Sequence, residues 1–160
     1  MSIVSNTGPL IALAKADRLD LLAALFGTVH IPPAVHRELL GKTGAEADRL
    51  DQALGEWLKV AQRPEPSPQA EAAMVSIDAG EREAIILAQR MGLTLIMDDR
   101  LGRQAARHLG LTVTGTVGVI IEARRTELIP AARPVLETMQ AQGYWLSNEL
   151  IDLAAALAGE

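Results

Sequence analysis

Cysteine is absent from the 160-residue chain. That excludes disulfide bonds, thiolate metal sites and a secreted disulfide scaffold, so any bound metal must be held by oxygen or histidine. Aromatic residues make up only 2% while hydrophobic residues make up 49%. The core must therefore be built from Leu, Ile, Val and Ala, a mixture that suits helices packed on a short parallel sheet. No apolar run approaches the ~18 residues that a membrane span requires. The opening Met1 to Asn6 lacks the basic start and apolar stretch of a secretion signal, and a soluble cytoplasmic protein is expected. The formal net charge of −5 excludes a broadly basic surface for nucleic acid. If the chain handles RNA, positive charge must be local and a metal ion must offset the acidic centre.

What is present reads as strands alternating with helices. Ile3-Val4-Ser5 forms a first strand, and Asn6-Thr7-Gly8-Pro9 reads as a turn before a helix with Leu10, Leu13 and Ala14. Asp17 is expected to cap a second helix holding Leu19, Leu22 and Leu25. Thr28 to Ile31 suits a second strand, and Pro33 opens a helix running to Leu40. An amphipathic segment from Ala45 to about Leu54 leads to a short strand at Trp57 to Val60. Arg63 to Pro68 is the clearest loop. The strongest helix runs from Glu81 to Met91 and ends at Gly92. Thr94 to Met97 is a buried-type strand, Leu101 to Leu109 a helix stopped by Gly110, and Leu111 to Val113 a further strand. Helical patterns fill the rest, with neither repeat nor low-complexity tract. The expected fold is a single α/β domain over residues 1–160, with a parallel sheet covered on both faces.

In such a sheet, ligands bind beyond the carboxyl ends of the strands. Asn6 follows the first strand, and Asp98-Asp99 follow the Leu95–Met97 strand. A carboxylate at a buried strand end needs a partner, which singles out Asp98, whereas Asp99 is equally suited to capping the next helix. Glu38, near the end of the Pro33 helix, and Glu81, at the start of its own helix, could complete an acidic cluster. Each also suits a solvated surface position, and spacing alone does not show that they converge. Glu83 should point elsewhere. Carboxylates gathered together repel unless a divalent cation sits among them, and hard oxygen ligands suit Mg²⁺ or Mn²⁺. Arg100, Arg103 and Arg107, at i, i+3 and i+7, could form a cationic stripe for an RNA backbone, or simply a solvated helix face. The histidines show no metal-ligand spacing. Gly115 to Gly118 lacks the lysine of a P-loop and is read as the start of a helix.

The order of these motifs resembles that of PIN-domain proteins, in the branch related to VapC-type toxins. The likeness lies in Ile3 to Leu13, Ile31 to Val35 followed by Glu38, Asp78-Ala79-Gly80-Glu81, and Ile96-Met97-Asp98-Asp99. It continues through Arg103, Ala106 and Gly110 to Gly115 to Ile120 and Gly143 to Ser147. The resemblance implies a three-layer α/β/α fold and Mg²⁺- or Mn²⁺-dependent endoribonuclease chemistry, often paired with a small antitoxin protein. It implies an acidic pocket of Asn6, Glu38, Glu81 and Asp98, with Asp99 as a fifth member. Asp98, Glu81 and Glu38 would carry catalysis. The first strand of PIN domains usually ends in aspartate. Asn6 offers an amide oxygen without the charge, which should lower metal affinity. A PIN-fold module that binds RNA or a protein without efficient catalysis is the alternative. The apolar segment Leu150 to Leu157 suggests a homodimer.

Overall fold

The computed structural model describes residues 1–160. Its five strands are β1 (Ser2–Ser5), β2 (Thr28–Ile31), β3 (Leu58–Val60), β4 (Leu95–Ile96) and β5 (Val113–Thr114). They form one all-parallel sheet in the order β3-β2-β1-β4-β5. Every crossover carries helix, as parallel strands require. Helices α1 (Thr7–Lys15) and α2 (Asp20–Phe26) join β1 to β2, and α3 (Pro33–Leu40) and α4 (Ala45–Leu54) join β2 to β3. Helices α5 (Pro68–Ala73) and α6 (Ala79–Met91) lead to β4, and α7 (Arg100–His108) leads to β5. Helices α8 (Thr116–Arg125), α9 (Ala132–Ala141) and α10 (Asn148–Leu157) complete the chain.

The two-residue alternation of a strand divides the core into two layers. Ile3 of β1 packs with Leu10 and Leu13 of α1, Val119 and Ile120 of α8 and Leu136 of α9. Its neighbour Val4 faces the other way, against Ala84, Ile85 and Ala88 of α6 and Ala106 of α7. The fold is therefore the expected three-layer α/β/α arrangement. Small residues at Ala84, Ala88 and Ala106, all fully buried, let helices lie close to the sheet in the near absence of aromatic side chains.

Local differences from the sequence expectations have local causes. Asn6 to Pro9 is no turn: Asn6 is the N-cap position and α1 starts at once at Thr7. Pro9 fits because first-turn N–H groups have no intrahelical partner to lose. Asp17 caps no second helix. It takes a left-handed conformation (φ 55°) just past α1. The Arg18 N–H donates to the Leu13 carbonyl at 2.8 Å, and that of Asp17 donates to Ala14 at 3.1 Å, closing a Schellman motif. The last strand is shifted to Val113–Thr114 because Leu111 is used in the same way, its N–H donating to Ala106 at 3.0 Å beyond Gly110. Pro68 opens the short helix α5 behind Ser67, whose side chain accepts from the Ala70 N–H.

This topology positions a site. The chain builds the sheet outward from β1 to β3, then crosses back to place β4 on the other side of β1. The carboxyl ends of β1 and β4 thus flank the point where the strand order reverses, and loops diverge there to leave a crevice. Asn6 follows β1, and Met97-Asp98 follow β4. The register continues past both strands, the Asn6 N–H donating to the Ile96 carbonyl at 3.1 Å and that of Met97 to Thr114 at 2.9 Å.

Candidate functional site at the carboxyl end of the sheet

An open cleft of about 400 Å³ lies at this crevice. One wall is acidic, with Glu38 from α3 and Asp78 and Glu81 from the start of α6. The floor is α1, through Asn6, Thr7, Gly8, Ile11 and Lys15. Gly143 and Tyr144, after α9, close the far side, and Lys42 stands beyond the end of α3.

The acidic wall is set by helix capping. Asp78 is the N-cap of α6 and accepts from the Glu81 N–H at 2.8 Å. Glu81 sits at the third helical position, as in a capping box. Glu38 presses its carboxylate against the Cα of Gly80, where any Cβ would collide with Glu38 Oε1. Glycine at 80 is thus what lets α3 and α6 bring their carboxylates together. Burial pushes the Glu81 carboxyl up to about 7, aided by the charges of Asp78, Asp99 and Glu38 and by a hydrogen bond with Asp78. Burial disfavours the charged form, and the neighbouring carboxylates disfavour it further.

Asp98 is held differently. Its Oδ1 accepts from the Thr116 backbone N–H at 2.8 Å, and its Oδ2 from the Thr116 hydroxyl at 2.6 Å. The carboxylate therefore sits at the N-terminus of α8, where the helix dipole favours negative charge. Gly115, just before, must be bare, since a Cβ there would stand 2.9 Å from Asp98 Oδ1 and 2.6 Å from Arg103 Nη1. Tyr144 spans from this group to the cleft. Burial pushes its phenol up, and the nearby charge of Asp98 adds to the effect.

A sequence profile of the PIN domain matches residues 2–160. The chain belongs to the PIN-domain family. A comparison with curated proteins finds no match. PIN domains are in general nucleases, and in this one Glu38, Asp78 and Glu81 line the cleft at the carboxyl end of the sheet.

Of the residues singled out in the sequence, Asn6, Glu38 and Glu81 line one cleft. Asp98 borders it through Tyr144. Asp99 caps α7, accepting from the Gly102 N–H at 2.8 Å, while its charge still reaches Glu81. Glu83 does point elsewhere: it accepts from the Ala34 N–H at 3.1 Å and so caps α3. The arginines part company. Arg103 is half-buried and turns inward, its Nη1 donating to the Met97 carbonyl at 3.1 Å, while Arg100 and Arg107 are exposed on α7. Asp78, Tyr144, Lys15, Lys42 and Thr116 were not singled out as site residues. Asp78 carried a signal in its capping-box spacing to Glu81, and Thr116 and Tyr144 lay within stretches shared with the family, whereas the two lysines carried none.

As a test for a divalent ion, the donors in this PIN domain are hard oxygens, and the Glu81 carboxyl, raised first by burial, is also raised by the negative charges of Asp78, Asp99 and Glu38. Both fit Mg²⁺ or Mn²⁺. No three of the carboxylates converge on one point as a ready-made cage. Loading must therefore reorient side chains, Asp98 giving up its bonds to Thr116 or Glu81 its bond to Asp78. No helix is long and apolar enough to cross a membrane.

Proposed function

We propose that this PIN domain is an endoribonuclease that hydrolyses RNA phosphodiester bonds with a bound Mg²⁺ or Mn²⁺. One observation carries the reading: Glu38, Asp78 and Glu81 line one cleft at the strand-order reversal, where burial first, and the neighbouring carboxylates second, push Glu81 to about 7. Glu38, Glu81 and Asp98 are the residues that would hold the ion, with the Asn6 amide oxygen as a neutral ligand. When bound, the ion supplies an activated water and charge stabilisation at the leaving oxygen. Thr116 orients Asp98 through both of its oxygens. Asp78 fixes Glu81 at the mouth of α6 and Gly80 admits Glu38, so the carboxylates stay on rigid elements. Tyr144 narrows the far side of the cleft.

The toxin role, with a small antitoxin protein covering the open cleft, belongs to the same reading. So does a cytoplasmic homodimer. Leu150, Leu153 and Leu157 support the latter by forming an exposed apolar stripe on α10, at 39%, 55% and 51% exposure. A monomeric mass at micromolar concentration would remove the dimer. A second reading, a module that binds RNA or a protein with impaired catalysis, is favoured by the uncharged Asn6 and by the complete engagement of Asp98 with Thr116. Cleavage of RNA that requires Mn²⁺ and disappears in Asp98→Asn supports the enzyme. An Mn²⁺-insensitive chain that still binds RNA supports the module.

A further inference from the structure

The acidic wall cannot by itself receive a polyanion, and the arginines of α7 lie outside the lining of the cleft. The α1 floor has the opposite character. Gly8, Ile11 and Lys15 lie at i, i+3 and i+7, one face of the helix turned to the cleft along its whole length. At its start, the N–H groups of Thr7 and Gly8 have no intrahelical partner, and the Asn6 side chain makes no capping hydrogen bond. Thr7 is only 9% exposed, yet its hydroxyl has no hydrogen-bond partner. A buried donor left in this state costs free energy unless a ligand meets it. Packing does not require glycine at position 8, because a Cβ there would meet no atom within 4 Å. What glycine does provide is close access to the helix backbone. At the other end of the floor stands Lys15, about 12 Å along the helix from Thr7, and Lys42 lines the same cleft.

We propose that the α1 floor is the track for the RNA backbone. The Thr7 hydroxyl and the Thr7 and Gly8 N–H groups take one phosphate, and Lys15 and Lys42 take another further along the strand. The inference rests on the ribonuclease reading for its ligand. It assigns the cationic contacts to these lysines in place of Arg100, Arg103 and Arg107. A single strand suits the track, since each phosphate must approach a helix face inside a cleft.

The test is the anisotropy of a labelled oligouridylate, titrated with the full chain over a series of salt concentrations with Ca²⁺ as the divalent ion. The slope of log affinity against log salt should fall by about 0.7 for each lysine removed and by ~1.4 in Lys15→Ala/Lys42→Ala. Lys15→Arg/Lys42→Arg should restore it, and Arg100→Ala/Arg107→Ala should leave it unchanged. Gly8→Ala and Thr7→Val should melt at or above the parent temperature, since one removes a helix-breaking glycine and the other an unpaired buried hydroxyl. Both should nevertheless bind the strand more weakly. An unchanged slope in the double alanine variant overturns the track, as does undiminished binding in both Gly8→Ala and Thr7→Val. If those variants bind normally while Asp98→Asn abolishes cleavage, the track fails and the ribonuclease reading stands. If the parent binds no oligouridylate at any salt concentration, both fail together.

Discussion

The two central strands end in chemically opposite ways. After β1 comes Asn6, neutral, 8% exposed and without a capping hydrogen bond. After β4 comes Asp98, with both carboxylate oxygens occupied by Thr116. The difference follows from desolvation. A neutral amide at a strand end can face a cleft with its hydrogen bonds unmade at modest cost, whereas a carboxylate there must be paired or neutralised. The β1 end is thus left open to a ligand. The β4 end is already satisfied within the chain and must give something up to bind one.

The largest effect expected from breaking this contrast is at Asp98. Asp98→Asn keeps the shape but removes the charge, and Mn²⁺-dependent cleavage should fall by more than the roughly 10- to 100-fold typical of outer-shell losses. Retained cleavage in a gel assay would exclude Asp98 from the reaction. Thr116→Val leaves Asp98 one hydrogen bond short. A bond to a charged group contributes about 1.5–3 kcal/mol, and a urea melt should show a loss of that order. No loss would mean that water replaces the hydroxyl freely.

Asn6→Asp sharpens the contrast from the other side. A second charge at the strand-order reversal should raise Mn²⁺ affinity by about tenfold, equivalent to ~1.4 kcal/mol, in calorimetric titration. Without metal the same change should lower the melting temperature, because it adds a like charge to a crowded cleft. Unchanged affinity would mean that position 6 lies beyond reach of the ion.

The smallest effect is in the pH dependence of the metal-free protein. The Glu81 carboxyl is raised from about 4.5 to about 7, so between those values the folded chain holds a proton that the unfolded chain has lost. The contribution of this group to stability is therefore fully present below pH ~4.5 and is lost as pH rises through about 7. Glu81→Gln should flatten that part of the stability profile, and an unaltered profile would show that Glu81 is neither desolvated nor crowded in the folded chain. Because Glu81 is partly open to solvent, the slope will be shallow.

Much of the fold was legible because it rests on short-range rules. The alternation at Ile3-Val4, the proline at the start of α3 and the glycines that end α6 and α7 announce their elements without reference to anything distant. Asp17 misled for an equally local reason. Aspartate suits both an N-cap and the left-handed position after a helix, and only the Arg18-to-Leu13 hydrogen bond distinguishes them. The site was legible in its acidic residues and opaque in its basic ones. Arg100, Arg103 and Arg107 share a spacing, yet Arg103 is drawn inward by the Met97 carbonyl. Lys15 and Lys42, which have no motif around them, line the cleft.

From the sequence alone came the chemical inventory: oxygen donors without thiolates, an aliphatic core, parallel crossovers, and a family order of motifs. These depend on composition and near-neighbour spacing. The tertiary structure alone decided which charges meet. Glu38 reaches Glu81 only because α3 and α6 close over Gly80, and Asp98 reaches Thr116 across 18 residues of chain only because β4 and β5 are paired. Convergence of side chains is a property of topology, and spacing along the chain does not encode it.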